Sequence, residues 1–365
     1  MNEARPELRA LTSVRGIAAW FVVLYHIRLS IAGLPPTWTA VLAKGYLAVD
    51  FFFLLSGFVI WLSWSEKLRA GGFGTVPEFL RRRIARIWPL HLFMLGCAGM
   101  LALLLLATGR HDAAEYPFDL LPLHMLLLQN WGFTDRLAWN DPSWSISVEL
   151  GAYLLFPVLA MAIAWRRVPS WAILATIIAL FVVLAAVFAS VGSVSLGYEI
   201  AHFGLIRCVI EFTAGTAVSA LWLRWKDSPA RPALVTIGIG AVLILSWRAG
   251  LPETLAIPAL FAALLLVLAL TAGLRHNPLD ARWLHYLGEI SYATYLGHFL
   301  LFVAFKLALV DDAHAIPPLL IVLYLLLVLG SSIALYHLVE RPAQKWFNRL
   351  ALPVGSTGKA RPLPH

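Results

Sequence analysis

An arginine and a histidine stand eleven residues apart in the first apolar stretch of the chain, Arg15 and His26 in TSVRGIAAWFVVLYHIRL. Eleven residues make about three turns of α-helix and about 16 Å of rise, so the two side chains lie on nearly the same helical face. Arginine is a permanent cation, whereas histidine gains or loses a proton near neutral pH. Ionisable side chains are costly inside a membrane helix, so the pair indicates a functional site if this stretch crosses a membrane.

Two carboxylates lie near the ends of later apolar stretches, Asp50 in GYLAVDFFFLLSGFVIWL and Glu149 in DPSWSISVELGAYLLFP. A carboxylate in such a place must be paired, protonated or in contact with water. Asp50 is therefore either functional or a buried structural residue, and the residues alone favour neither. Trp144, five residues before Glu149, could form with Trp131 a stacking platform for a sugar ring. Interfacial tryptophans are more often part of an aromatic belt.

A cluster of arginines opens the third apolar stretch, in FLRRRIARIWPLH. Arg83 and Arg86 are three residues apart and share one helical face. Guanidinium pairs suit bidentate binding of phosphate. Arginines at an inner helix end are also ordinary membrane anchors, and without other information this second interpretation is favoured.

A polar stripe runs along the segment LGEISYATYLGHFLL. Ser291, Tyr295 and His298 recur there at helical spacing, while the rest of the stretch is apolar. A lone histidine of this kind is more often a packing residue. A second histidine inside an apolar stretch, in addition to His26, modestly favours a functional role.

The composition predicts that these stretches are membrane helices. Hydrophobic residues make up 60% of the 365 residues and charged residues only 13%, against roughly 25% charged residues in soluble domains. Apolar runs of about 20 residues, the length that spans a bilayer, recur along the whole chain. We therefore predict an all-α, polytopic membrane helix bundle of about ten transmembrane helices. The runs lie approximately at 12–33, 46–65, 87–108, 145–165, 170–191, 203–224, 232–249, 254–273, 289–310 and 316–338.

The distribution of the basic residues predicts the orientation of the bundle. With ten spans and an inner N-terminus, 21 of the 28 lysines and arginines fall in or beside the loops that would be cytoplasmic. This bias follows the positive-inside rule, so both termini are predicted to be cytoplasmic. The net charge of +8 thus reflects orientation and does not indicate a nucleic-acid partner. No segment has metal-ligand spacing, and we expect no metal site.

The chain is predicted to form one transmembrane domain. We find no useful internal repeat and no appended soluble domain, and we expect a single domain over 1–347 followed by a flexible cytoplasmic tail over 348–365. The apolar run after the N-terminus keeps an arginine and a histidine and has no clear cleavage site. It is therefore expected to be a retained first helix and not a signal peptide.

Six segments together carry a resemblance to a known family. They run in order from residue 8 to about residue 347: the arginine-x10-histidine of Arg15 and His26, GYLAVDFFFLLSGF, RRxxRIxP from Arg82 to Pro89, PSWSISVELGAYLLFP, ISYATYLGH and HLVERPAQKWF. In these the chain resembles the acyltransferase 3 family of integral-membrane acyltransferases, which includes bacterial O-antigen and exopolysaccharide O-acetylases. His91 stands where many members carry tyrosine.

The resemblance implies transfer of an acyl group, commonly acetyl, from cytoplasmic acyl-CoA to a hydroxyl, commonly on a carbohydrate such as a cell-surface polysaccharide. Acyl-CoA would be a co-substrate, with no permanently bound cofactor, and the protein would lie in the inner or plasma membrane. His26 would act as general base or transient acyl carrier, with Asp50 or Glu149 orienting its ring. The expected anchors for the phosphates of CoA are Arg15, Arg83 and Arg86. The expected contacts to the acceptor are Trp144, Ser147, Tyr295 and His298.

This assignment predicts a path across the membrane. Inner-edge arginines would hold CoA while its pantetheine arm extends beside the first helix to bring the thioester near His26, in mid-membrane. The acceptor hydroxyl would enter from the outer side. Two other classes stay open: a transporter or exporter of a lipid-linked or acylated sugar, and an assembly subunit whose polar residues only join helices. The oligomeric state is open as well.

Overall fold

The structure, a computed structural model, describes residues 8–349 except 273 and 275, and the regular elements of that part of the chain are helical. Most of the predicted tail 348–365 lies outside the described residues, as do Arg5, Arg275, Lys359 and Arg361 from the charge count. The α-helices are α1 (Arg9–Ile27), α2 (Pro36–Leu42), α3 (Ala48–Gly71), α4 (Val76–Ala107), α5 (Leu121–Met125), α6 (Ser143–Ala162), α7 (Ser170–Ser190), α8 (Ile200–Trp225), α9 (Ala230–Arg248), α10 (Glu253–Thr271), α11 (Arg282–Glu289), α12 (Ser291–Leu309), α13 (Pro318–Leu335) and α14 (Arg341–Arg349).

Nine stretches of the described chain are long and apolar enough to cross a membrane. One of them, Pro36–Ala107, has 72 residues and contains two long helices, α3 and α4, joined by a short turn over Gly72–Thr75. The described part of the chain therefore holds ten helices of crossing length, and the predicted all-α membrane bundle is confirmed. The protein is a multi-pass integral membrane protein.

The first helix is shorter than the sequence predicts. The apolar run extends to about residue 33, but α1 ends at Ile27 because the chain then turns and pairs with the segment before α13. The amide of Ala32 donates to the carbonyl of Ile316 at 3.0 Å, and the amide of Ile316 donates to the carbonyl of Ser30 at 2.8 Å. His26 consequently lies in the last turn of α1 and not midway along it.

Helices α3 and α8 pack closely at the centre of the bundle because glycine stands at both contact points. A Cβ atom on Gly57 would lie 1.9 Å from the backbone oxygen of Phe212, and one on Gly215 would lie 2.0 Å from that of Leu54. Small residues of this kind allow membrane helices to approach backbone to backbone. The contact fixes α3, which carries Asp50 on one side and Ser56 on another, against α8.

Arginines hold helix ends together at one end of the bundle, where α1 and α4 begin and α3 and α8 end. We call this the basic end. Arg69 at the end of α3 donates to the carbonyl of Ala160 at 2.8 Å, in the last turn of α6. Arg224 donates to carbonyl oxygens of the turn between α6 and α7. Arg81 donates to the carbonyl of Phe347 in α14 at 2.6 Å. Helix C-termini carry unpaired carbonyls and partial negative charge, so these cations stabilise them.

The connection between α4 and α6, at the opposite end, is folded against the bundle. Tyr116 and Trp139 are buried in it. Leu127 and Trp139 adopt positive φ angles of 58° and 65°, a region that residues other than glycine rarely occupy. The side-chain Nδ2 of Asn140 donates to the carbonyl of Leu296 in α12 at 2.9 Å. The connection is thereby attached to the helix that carries Tyr295 and His298.

Candidate active site

A cavity of about 940 Å³ extends along one side of α3. The residues of α3 that line it run from Val49 to Arg69, which is roughly 30 Å of helix rise and similar to the thickness of a bilayer's hydrocarbon core. Its volume lies within the range of small-molecule and cofactor sites, roughly 300–1,000 Å³. The cavity therefore reaches from the basic end nearly to the far end of α3.

The three arginines predicted to bind phosphate all line this cavity, but two of them already have protein partners. Arg15 donates through Nη2 to the carbonyl of Gly288 at 2.6 Å and through Nε to Ser291 Oγ at 2.9 Å. It therefore holds the break between α11 and α12. Arg86 forms an ion pair with the buried carboxylate of Glu340.

Arg83 is the predicted anchor that remains available for a ligand. Its Nε atom is buried, and its side chain makes no hydrogen bond or ion pair within residues 8–349 as the structure describes them. A buried N–H group without a hydrogen-bond partner is costly. The side chain lines the cavity, so an anionic group of a bound molecule could satisfy it.

Glu149 also lines the cavity, on the wall formed by α6. Its Oε1 atom accepts hydrogen bonds of 2.6 Å from Ser56 of α3 and from Tyr153, one turn farther along α6. These bonds fix the carboxylate in the apolar interior. Glu149 is thus connected to the cavity wall and not to His26.

Asp50 is paired with an arginine that the sequence analysis did not assign to the site. Arg207 of α8 donates to Asp50 through Nε at 2.6 Å and Nη2 at 2.5 Å, and both side chains are 0% exposed. The guanidinium also donates to the carbonyl of Leu196 at 2.8 Å. The structure therefore does not bring Asp50 to His26, and the orienting role expected of it has no contact to support it.

The sequence did contain a signal for this pair. Arg207 lies in the middle of an apolar run, in IRCVIEF, where a charge must be compensated inside the bundle. Glu211 follows one helical turn later, is also fully buried, and interacts with both Asp50 and Arg207. Counting both as intramembrane charges would have predicted a buried partner for Asp50.

His26 instead contacts His298 of α12. The Nδ1 atom of His26 lies 3.1 Å from Nε2 of His298. The same Nδ1 atom lies 2.9 Å from the carbonyl oxygen of Val22, and Nδ1 of His298 lies 3.1 Å from that of Thr294. His298 is buried, whereas His26 is partly exposed.

These contacts determine where the protons of the two neutral rings lie. A carbonyl oxygen can only accept, so Nδ1 of His298 carries a proton and its Nε2 is an acceptor. Nδ1 of His26 then donates to both Val22 and His298, which leaves Nε2 of His26 with a free lone pair. His298 thus plays the part that a carboxylate plays in a catalytic triad, because it fixes the tautomer and orientation of the first ring.

Tyr295 separates the histidine pair from the cavity. Its hydroxyl forms a 2.8 Å hydrogen bond with Ser145 of α6, and both residues line the far end of the cavity. On its other side the ring lies 6.3 Å from that of His298, centroid to centroid. Neither histidine lines the cavity.

The two other predicted acceptor contacts are packed into the bundle. Trp144 is buried against Phe53, with ring centroids 6.0 Å apart, and under the guanidinium of Arg207. Ser147 is fully buried and donates to the carbonyl of Leu127 at 2.8 Å. Neither side chain lines the cavity. Ser147 holds the connection between α4 and α6, whereas Trp144 packs between α3 and α8, and their contact with an acceptor stays a prediction.

His91 of α4, the departure from the family pattern, is likewise buried in a structural contact. Its Nε2 atom lies 2.7 Å from the carbonyl oxygen of His124. In the described ranges of the chain, no group of three or more His, Cys, Asp or Glu side chains is arranged to hold a metal ion.

Comparison with known proteins gives a consistent result. The acyltransferase 3 family, described as an acyltransferase domain, matches residues 8–337. Acyltransferase MdmB of Streptomyces mycarofaciens is 31% identical over 326 residues, which cover 80% of this chain and 78% of that protein. "Putative peptidoglycan O-acetyltransferase YrhL" of Bacillus subtilis (strain 168) is 26% identical over 332 residues, which cover 79% of this chain and 48% of that protein.

Protein 2 in the picA locus of Rhizobium radiobacter is 36% identical over 163 residues, or 41% of this chain and 81% of that protein. No solved structure matches the chain. The family match covers nearly all the described residues and includes the cavity, Arg83 and both histidines. The chain therefore belongs to the acyltransferase 3 family, and it is a membrane enzyme that transfers acyl groups.

Proposed function

We propose that the protein moves an acyl group, acetyl in the first instance, from acyl-CoA to a hydroxyl of a carbohydrate or glycoconjugate such as a cell-surface polysaccharide. The observation that carries the donor assignment is the long cavity that opens at the basic end and holds the unpartnered guanidinium of Arg83. The name of the Bacillus relative, a peptidoglycan O-acetyltransferase, supports a carbohydrate hydroxyl as acceptor.

The orientation of this reaction follows from the loop charges. We assign the basic end and both termini to the cytoplasm because the loop charges follow the positive-inside rule, and we propose that the membrane is the inner or plasma membrane. CoA would enter from that side, with a phosphate on Arg83 and its pantetheine arm along α3. The acceptor would approach from the other side, where the partly exposed His26 lies.

The chemical step needs one base, and overall it neither consumes nor releases a proton. Nε2 of His26 removes the proton of the acceptor hydroxyl while the oxygen attacks the thioester carbonyl. The tetrahedral intermediate collapses with cleavage of the carbon–sulfur bond. The leaving thiolate takes the proton from His26, which gives the ester and free CoA. His298 accepts from Nδ1–H of His26 throughout and stabilises the imidazolium that forms.

Tyr295 must move for this step to occur. Its ring stands between the end of the cavity and the histidine pair, held by the hydrogen bond to Ser145. A rotation that breaks this one bond would join the donor cavity to the base. Until then the tyrosine ring would stand between the thioester and His26.

Purified protein tests this proposal directly. Wild-type protein should release CoA thiol from acetyl-CoA only when a carbohydrate acceptor is present, and His26→Ala should lose this turnover while still binding CoA. His314→Ala is the matched control, because His314 is exposed in a loop and touches neither the cavity nor His26. Full turnover in His26→Ala would refute the assignment of the base. Acceptor transport without thiol release by the wild-type protein would refute the enzyme assignment.

A further inference from the structure

A second, smaller depression of about 400 Å³ lies at the basic end, beside the short helix α14. Four cations line it, Arg15, Arg86, Arg341 and Lys345, together with one carboxylate, Glu289. It therefore has a marked excess of positive charge. Phosphate groups are the common biological ligands of such a site.

The cations of α14 share one helical face. Arg341, Gln344, Lys345 and Asn348 are spaced i, i+3, i+4 and i+7, and all four line the depression. Arg341 and Lys345 make no hydrogen bond or ion pair in the part of the chain that the structure describes. By contrast, the nearby Arg82 is paired with Glu78 of the same helix at 2.6 Å.

The depression adjoins the large cavity. Arg15 and Arg86 line both spaces, so the wall between them is formed partly by these two side chains. Protein groups hold both in place, the carbonyl of Gly288 for Arg15 and the carboxylate of Glu340 for Arg86. A ligand on the α14 face would therefore lie next to the entrance of the donor cavity without displacing either pair.

We propose that this face of α14 is a second phosphate-binding site, which holds the nucleotide end of the acyl donor outside the membrane. The choice of a nucleotide-bearing thioester as the ligand rests on the proposed function. A chain with several phosphates at one end and an acyl group at the other matches two adjoining spaces, the cationic depression and the long cavity that extends along α3. A phospholipid headgroup offers the same phosphate chemistry, and the test separates the two sources.

The test compares donors that differ only at the nucleotide end. Steady-state kinetics are measured with acetyl-CoA, with its 3′-dephospho form and with acetyl-pantetheine, which has no phosphate. Arg341→Gln and Lys345→Gln should each raise the KM for acetyl-CoA about tenfold, the usual effect of losing one charge-assisted hydrogen bond, and leave kinetics with acetyl-pantetheine unchanged. Arg349→Gln is the control, since it removes an arginine from α14 that does not line the depression.

Three results would overturn the proposal. One is an unchanged KM for acetyl-CoA in both variants. Another is a loss of activity in the variants that is equal with acetyl-CoA and acetyl-pantetheine and appears only in vesicles containing anionic lipid. That result would identify a lipid headgroup as the ligand. The third is a wild-type protein that uses acetyl-pantetheine as efficiently as acetyl-CoA. In that case the protein would still be an acyltransferase. If the wild-type protein used none of the thioesters as donor, the proposed function itself would be refuted.

Discussion

Replacing Asp50 with alanine leaves the guanidinium of Arg207 buried without its carboxylate. The two side chains are fully buried and joined by two short hydrogen bonds, of 2.6 and 2.5 Å. Removing one partner of a buried ion pair costs about 3–5 kcal/mol, because the remaining charge is uncompensated. Proteins are stable by only about 5–15 kcal/mol in total. We therefore expect Asp50→Ala to lose much of its stability.

Replacing both Asp50 and Arg207 with uncharged residues should restore the lost stability. In Asp50→Ala/Arg207→Met both members of the ion pair are replaced by apolar residues, and buried ion pairs can often be replaced in this way without loss. The measurement is thermal unfolding of purified protein in detergent, in which Asp50→Ala should unfold about 10 °C lower than wild type. The double variant should return close to the wild-type Tm and also recover acyl transfer.

Two results would refute this reasoning. If Asp50→Ala keeps the wild-type Tm and loses turnover, Asp50 has the catalytic role that the family resemblance implies. If the double variant recovers the Tm but not the turnover, Asp50 or Arg207 contributes to the reaction in addition to supporting the fold. The double-mutant cycle separates these contributions because both readouts are taken from the same four proteins.

Four further predictions concern other parts of the molecule. Gly57→Ala should destabilise the protein strongly, because its Cβ would lie 1.9 Å from a backbone oxygen of α8. His298→Ala should lower kcat by about 10²-fold or more with little change in donor KM, because the tautomer of the base is no longer fixed. Arg83→Gln should raise the KM for acetyl-CoA about tenfold and leave the Tm unchanged. Burial raises the pKa of Asp141, just outside α6, to about 6. Stability should therefore fall as pH rises from about 4 to about 6, and Asp141→Asn should raise the Tm at pH 7.5 but not at pH 4.

Each of these has a matched control and a contrary outcome. Gly96→Ala, at a helical glycine with open space around it, should be neutral, and equal Tm values for both glycine variants would contradict the close contact. An unchanged kcat and pH profile in His298→Ala would assign that residue to packing alone. A lower Tm in Arg83→Gln would indicate a structural role for the guanidinium. If the Tm difference between Asp141→Asn and wild type does not vary with pH, titration of the carboxylate is not its cause.

Sequence patterns predicted the helices because the evidence for a membrane helix is local. Runs of about 20 apolar residues and alternating loop charge are properties of short segments, and even the run at 232–249, with two glycines in IGIG, forms α9. The cationic lining of the cavity was also predicted, since Arg83 and Arg86 are neighbours on one helix. The long-range contacts between residues of different helices were not predicted, because they depend on how the helices pack. His26 and His298 are 272 residues apart, and no spacing rule relates them.

The same two helices connect the two ends of the proposed reaction path. Arg15 contacts Ser291 and His26 contacts His298, so α1 and α12 run in the same direction and touch at two levels. On α1 the two contacting residues are eleven residues apart, which is about 16 Å of helix rise. On α12 they are seven residues apart, or about 10 Å, and the length of the arginine side chain accounts for the difference. A displacement of α12 along α1 would therefore alter the Arg15–Ser291 contact at the donor end and the His26–His298 contact at the acceptor end together.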